Sequence, residues 1–483
     1  MTELHHRSAT QLAALLRARK ISCLEMLDHF LGRIDRLNPS LNAIVWSDRA
    51  RARRRARRAD TALARDEIWG ALHGVPITVK ESFDLAGAPT TWGLPELRDN
   101  VAAANAAAVE RLEAAGAVVF GKTNVPAMLA DWQTFNPVHG TTRNPWNPDR
   151  VPGGSSGGAA AALAAGLTGA ELGSDIGGSI RNPAHYCGVF GHKPSGGLVP
   201  LRGQALPGWV AGKDMEVAGP MARSARDLDV LLDALVGPDG PEEAAWTVEL
   251  PKFPPRSLRG VRVAVKLDDP CAPIESEYAA RLQAVVETLA RAGAKVSDKV
   301  APKVESERLL EVYLLLLRAA TSARVRDEEI ERWRAIRAAQ PEANPRFLKA
   351  LVEGNGLSHR QWLALDNERQ LIRQAFAAFF EKWDVLFCPV ASSAAFPHDQ
   401  DGERWQRTIE VDGTRVPGTD QLFWAAHASL AYLPASVGPA GVLRSGLPVG
   451  YQAIAGHGRD RTAIGFARMV ERQIGGFVPP PHT

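Results

Sequence analysis

The sequence predicts an α/β protein, and three observations carry that expectation. From His73 onward, short apolar runs with strand alternation, first Val75, Ile77 and Val79, take turns with alanine-rich helical stretches. Glycines and prolines, 43 and 33 of 483 residues, gather at the joins and punctuate these elements. No repeat of fixed period and no low-complexity linker divides the chain. One elaborated domain over 1–483 therefore fits better than the roughly three that length alone suggests.

The elements follow in order. Ser8 can cap a first amphipathic helix, with Leu12, Leu15 and Leu16 on one face. Ser22 to Glu25 forms an S-x-x-E capping box, after which Leu27, Phe30, Leu31, Ile34 and Leu37 keep the helical period. Arginines at 49, 51, 53, 54, 55, 57 and 58 read as a solvated helix face, because acidic residues elsewhere balance them. The strand at 75–79 ends at Lys80. Glu110 to Ala115 closes an alanine-rich helix, and Val118 to Phe120 is the next strand. A glycine-rich turn at 153–158 feeds a second alanine-rich helix, and a strand around Leu172 leads into Asp175-Ile176-Gly177-Gly178-Ser179. Beyond 240 come a strand at Val261–Lys266, a helix at Tyr278–Arg291 and long charged helices over about 305–340 and 358–382. Buried strands at Asp384–Val390 and Leu447–Ile454 follow, then a closing helix at Arg459–Gln473.

Composition narrows the function classes. At 45% hydrophobic and 23% charged, the chain has the make-up of an ordinary globular protein. Lys and Arg number 57 against 54 Asp and Glu, a balance of +3, too small a field to hold nucleic acid. Cys23, Cys187, Cys271 and Cys388 lie far apart without CxxC spacing, so neither a zinc knuckle nor a disulfide framework is expected. The first twenty residues lack an apolar core of signal-peptide length. The most apolar stretch, Ala159–Ala165, falls far short of the about 20 residues that a membrane span needs. A cytoplasmic protein with no membrane and no nucleic-acid partner is the expectation.

Two motifs match well-known patterns and fail on context. Gly116 to Thr123 spells G-x-x-x-x-G-K-T, which would make the protein a P-loop nucleotide binder. A phosphate nest needs its strand before the first glycine, and here the strand lies inside the loop. Gly154-Ser155-Ser156-Gly157-Gly158 spells G-x-S-x-G, with Ser156 as the nucleophile of an elbow. The preceding Asp149 to Gly153 is no buried strand, so the elbow lacks its support.

A more coherent constellation joins Lys80 at the end of a strand, Ser155 in a glycine-rich turn ahead of a helix, and Ser179 after two glycines. A serine hydroxyl is a poor nucleophile unless something takes its proton during attack. Lysine can do so only when neutral, and bringing its pKa from about 10.4 toward 7 or 8 costs roughly 3–5 kcal/mol, which burial can impose. A second serine, both donor and acceptor, can pass the proton along. Glycines beside the nucleophile let backbone N–H groups approach a developing oxyanion.

With these residues the sequence resembles the amidase signature family of serine hydrolases. The resemblance runs through Gly74 to Lys80, Gly121 to Asn124, Pro152 to Gly158 and Gly173 to Pro183, and resumes at Gly446 to Gly450. It implies a mixed, twisted central β-sheet covered by α-helices. N-terminal helices would occupy about 1–70, the catalytic core 71–230, a variable substrate-pocket and helical region 240–440, and a C-terminal strand and helix 441–483. It also implies Ser179 as nucleophile, Ser155 as a bridging serine on a cis peptide bond, and Lys80 as base. Ile176, Gly177, Gly178 and Ser179 would form the oxyanion loop, braced by Asp175 and Arg181, with Ser156 hydrogen-bonded in support of Ser155.

The activity so implied is hydrolysis of amide C–N bonds through an acyl-enzyme, extending in some members to esters, ureas or carbamates, without metal or organic cofactor. Met128, Leu129 and Trp132 stand where the resemblance puts one wall of the acyl pocket. Trp209, Phe423, Trp424 and Tyr432 are further candidates, and together they point to a small hydrophobic or aryl substrate. After Asn124 the chain reads Val-Pro-Ala-Met-Leu-Ala, where glutamyl-tRNA amidotransferase subunits carry an acidic Asp-Glu-Phe pattern. The free-standing amidase is therefore favoured over such a partner-dependent component. The oligomeric state is left open, a homodimer included.

Overall fold

The computed structural model describes residues 3–481 and 483. Its fifteen strands are β1 Ile44–Ser47, β2 Pro76–Lys80, β3 Val118–Thr123, β4 Phe135–Asn136, β5 Gly140–Thr141, β6 Glu171–Asp175, β7 Phe190–Lys193 and β8 Val217–Ala222, then β9 Arg262–Val265, β10 Lys295–Ser297, β11 Val385–Pro389, β12 Thr408–Val411, β13 Thr414–Pro417, β14 Ala435–Val442 and β15 Pro448–Ile454. Eleven of them form one sheet, in the order β1-β3-β2-β6-β8-β7-β14-β15-β11-β9-β10. The sheet is mixed. Strands β3, β2 and β6 run parallel, as do β11, β9 and β10, and antiparallel pairings join the two parallel groups through β8, β7, β14 and β15. The α/β expectation holds, with helices covering the sheet.

Burial explains the strand choice. Every residue of β2, β3, β6, β7, β8, β11 and β15 is buried, polar side chains such as Lys80, Lys122, Glu171 and His192 included, because both faces of these strands are covered. The alanine helix Gly157–Ala164 is buried on all sides. A Cβ on Gly158 would lie 2.4 Å from the Asn124 nitrogen, so only glycine admits that approach.

Two local expectations change. Over 305–340 there are two helices, Ser306–Ala320 and Asp327–Ala339, separated by a turn at Ser322–Arg324. The first is buried through Leu309, Leu310, Val312 and Leu314–Leu317, and is a core helix more than a charged one. The arginine run forms the helix Arg49–Ala64. Arg49, Arg51 and Arg53 pair with Asp35, Glu113 and Asp28, whereas Arg54, Arg57 and Arg58 face solvent. Among the described residues, no helix is long and apolar enough to cross a membrane.

Candidate active site

Strands β2 and β6 are parallel neighbours with Thr78 opposite Glu171 and Val79 opposite Leu172, so their C-terminal ends open on the same edge. Lys80 ends β2 and Asp175 ends β6. Two turns close over that edge, each feeding a helix: 153–156 ahead of Gly157–Ala164, and 176–180 ahead of Arg181–Cys187. The turns are tied together. The Ser156 N–H donates to the Ser179 carbonyl at 3.0 Å, and the Gly154 N–H to Asn182 Oδ1 at 3.1 Å. The Gly154–Ser155 peptide is cis.

This arrangement brings Lys80, Ser155 and Ser179 to one place. Lys80 is wholly buried, and its Nζ donates to Ser155 Oγ at 2.6 Å and to Ser174 Oγ at 3.0 Å. Burial lowers the lysine pKa from 10.5 to about 7, against the opposing pull of the Glu216 and Asp175 charges, while Lys213 adds to the lowering. A network runs on from there. Gln204 Nε2 donates to Ser174 Oγ at 3.1 Å and reaches Glu216 Oε1 at 3.4 Å. Sequence reasoning missed Ser174, Gln204 and Glu216. Ser174 adjoins Asp175, but nothing in the sequence ties residues 204 and 216 to Lys80. The Ser179 side is 5% exposed and opens on a chamber.

Asp175 organises the loop at 176–180. Its carboxylate accepts the N–H groups of Gly178 at 3.0 Å, Ile180 at 3.0 Å and Arg181 at 3.3 Å. Arg181 grips it through Nε at 3.0 Å and Nη2 at 2.8 Å, and extends to Ser429, Gln452 and the Ala425 carbonyl. Burial alone would raise the carboxyl, but the Arg181 charge and these bonds overcome it and hold the pKa at about 2. Asp175 and Arg181 thus form a solvent-free pair at the base of the loop. Gly178 departs from its expected part. With its N–H committed to Asp175, the groups left without an acceptor among the described residues are those of Ile176, Gly177 and Ser179. Gly178 is needed for shape: its φ is +86°, and a Cβ there would sit 2.9 Å from Trp132 Cζ2.

Ser156 also differs from expectation. Its hydroxyl lies 3.4 Å from the carbonyl and N–H of Ser174, not against Ser155, because it heads the helix and turns toward β6. The chamber beside Ser179 has a volume of about 540 Å³ and is lined by Met128, Leu129 and Trp132, the wall expected from sequence. Trp132 Nε1 donates to the Gly177 carbonyl at 2.8 Å and ties that wall to the loop. Trp209 does not line it. Held on the loop between β7 and β8, it is 49% exposed and borders a separate groove beside Leu206 and Val210. Phe423 and Trp424 are core residues, and the Tyr432 hydroxyl donates to Asp214. The helix Leu422–Ser429, which carries Phe423 and Trp424, gives Leu422 to the chamber instead, and Ser306–Ala320 gives Leu317 and Arg318. The phosphate-loop lookalike is strand β3. Lys122 is buried in it, donating to the Pro89 carbonyl at 2.6 Å and to Thr90 Oγ1 at 2.9 Å.

Chemically, the site offers a buried amine drawn toward neutrality, hydroxyls in its reach, and unpaired N–H donors at the mouth of a mainly apolar chamber. Comparison with known proteins gives this arrangement its kin. A family model described as Amidase matches residues 25–464. An indoleacetamide hydrolase of Bradyrhizobium diazoefficiens is 32% identical over 97% of this chain and 86% of its own. One component of the glutamyl-tRNA(Gln) amidotransferase of Thermosynechococcus vestitus is 30% identical over 93% of this chain and 94% of its own. The crystal structure of a bacterial aryl acylamidase of the amidase signature family superposes with a TM-score of 0.82, at 24% identity, over 98% of this chain and 97% of that one. That likeness is one of fold.

Proposed function

Because the chain belongs to the amidase family and hydrolyses amides, we propose that it does so through Ser179, Ser155 and Lys80, by way of an acyl-enzyme. Lys80 in its neutral form, which a pKa of about 7 makes available near neutral pH, takes a proton from Ser155 as Ser155 takes one from Ser179, and the Ser179 oxygen attacks the amide carbonyl. The N–H groups of Ile176, Gly177 and Ser179 receive the charge that grows on the carbonyl oxygen. The relay then returns the proton to the departing amine, and water, deprotonated by the same route, releases the acid and restores Ser179. The observation carrying this reading is the 2.6 Å bond from a fully buried Lys80 to Ser155 at the edge where Ser179 opens on the chamber. Met128, Leu129, Trp132 and Leu422 favour amides with an apolar or aryl body, in keeping with the indoleacetamide hydrolase among its relatives. Esters and carbamates present the same carbonyl to the same groups.

The test is mass-spectrometric mapping of the residue modified by a fluorophosphonate in the purified chain. The expected result is one adduct, on Ser179, abolished by Ser179→Ala. An adduct on Ser156 would overturn the assignment. The amidotransferase relative supports a second reading, a component that acts only with partners. Turnover of simple amides by the purified chain alone excludes it.

A further inference from the structure

Three guanidinium groups line the Ser179 chamber, and none has a carboxylate within ion-pair distance among the described residues; Arg324 is exposed, whereas Arg318 and Arg404 are half-buried. Arg318 comes from Ser306–Ala320, and Arg404 opens the turn Arg404–Gln406. Both lie over the Phe347 ring, at 5.2 and 5.7 Å from its centroid. Arg404 donates to the Ala130 carbonyl at 2.6 Å, within the Met128–Trp132 wall. The Arg318 Nε is buried and has no hydrogen-bond partner among the described residues.

The acids around the chamber are engaged elsewhere or lie at its rim. Asp131 is gripped by Arg407, Glu216 faces Lys213 at 3.8 Å, Glu329 caps its own helix at Arg326, and Glu96 is exposed. None is within ion-pair distance of Arg318 or Arg404. Two like charges sharing an enclosed space repel each other, and burial together with the Arg404 charge lowers the Arg318 pKa to about 10. A planar, bidentate anion is the ligand that such a fork-like donor matches best.

We propose that Arg318 and Arg404 form a carboxylate subsite, so that the substrates of this chamber are amides bearing a carboxylate beyond the scissile bond. Arg318 and Arg404 line the same chamber as Ser179. Leu317, next to Arg318, reaches to 4.0 Å of where a Cβ on Gly177 would stand, and Met128, Leu129 and Trp132 line the space for an apolar body. The substrate is then amphipathic: an apolar or aryl middle with an anionic end. This names the substrate class of the site read above as an amidase centre, and rests on that reading for the word substrate.

The test is calorimetric titration of the Ser179→Ala protein, which needs no turnover. The ligands are two matched pairs: 4-acetamidobenzoate against its methyl ester, with the carboxylate on the amine side, and succinamate against its methyl ester, with the carboxylate on the acyl side. The carboxylate of at least one pair is expected to bind about tenfold or more tightly than its ester. Arg318→Gln and Arg404→Gln, each in the same background, should reduce that ratio about tenfold, and Arg318→Lys should restore part of it. Each ratio is taken within one protein, so a fraction that fails to fold cancels. Equal or tighter binding of both esters, no binding by any of the four ligands, or a ratio that survives both glutamine substitutions would overturn the subsite. Loss of the fluorophosphonate adduct from unmutated protein would instead overturn the nucleophile and leave this measurement standing.

Discussion

Replacing Glu216 with glutamine should move the pH–rate profile to lower pH. With Lys80 poised at about 7, kcat/KM in the unmutated enzyme should climb about tenfold per pH unit below that point and flatten above it. Glu216 favours the charged lysine and holds its pKa up. The path between them runs through contacts of 3.0, 3.1 and 3.4 Å, which caps the separation near ~9.5 Å. At an effective dielectric of about 20, unit charges so placed interact by about 1.8 kcal/mol, roughly one pKa unit. Removing the carboxylate removes a stabiliser of the protonated form, so the proton leaves sooner and the rising limb shifts from about pH 7 toward about pH 6. Gln204 can still donate to the amide oxygen of Glu216→Gln, which preserves the network. The assay is kcat/KM from about pH 5 to pH 9 on 4-nitroacetanilide, which does not titrate in that range. A limb that stays within about 0.3 pH unit, or moves upward, would refute the electrostatic link between Glu216 and Lys80.

Two further outcomes follow from the same geometry. Lys80→Met should lower kcat/KM about 10³-fold without lowering the thermal midpoint, since it replaces a buried amine by an isosteric apolar chain; near-native turnover would remove Lys80 as the base. Asp175→Asn should cost about 3 kcal/mol in denaturant titration, because it leaves the guanidinium of Arg181 buried beside a neutral partner. The folded carboxyl titrates at about 2 against an ordinary 3.8, so this contribution should be complete above about pH 4 and fade as pH falls toward 2. A gap between the two proteins below about 1 kcal/mol, or one that widens in acid, would contradict the pairing.

What the sequence displayed, and what it hid, follows from how close in the chain the cooperating groups lie. Strand β2 was legible because Val75, Ile77 and Val79 alternate ahead of Lys80. Strands β7, β8 and β14 were not, because Phe-Gly-His-Lys, Val-Ala-Gly-Pro-Met-Ala and Ala-Ser-Val-Gly-Pro-Ala-Gly-Val carry the residues that usually mark turns. In the folded chain those small residues answer close approach. A Cβ on Gly219 would lie 2.3 Å from the His192 carbonyl, and one on Gly191 2.8 Å from Ile180 Cγ2. Sheet packing demanded the glycines that local propensity reads as breaks. Lys80, Ser155, Ser179 and the Asp175–Arg181 pair could be singled out because each lies in a short contiguous motif. Glu216, Arg318 and Arg404 reach the chamber, and Gln204 the Ser174 hydroxyl beside Lys80, from segments that only the tertiary fold brings together, and no spacing announces them.

The pocket wall shows a finer limit. Aromatic character pointed to Phe423 and Trp424, yet the residue of that segment lining the chamber is Leu422. In a helix each step turns the side chain by about 100°, so neighbours in sequence serve opposite surfaces. Trp424 settles the register: its Nε1 donates to the Ala272 carbonyl at 3.1 Å from within the core, where its indole could not remain without a partner. Ala425, a further step on, lies against Gly178, where a Cβ would stand 3.4 Å from the alanine methyl. The same short helix therefore anchors in the core through its aromatic residues, supports the loop before Ser179 through a small one, and lines the chamber through an aliphatic one. Large aromatics are held where their area is fully buried, which leaves the chamber face to Leu422, and residue type alone points to the wrong side of the helix.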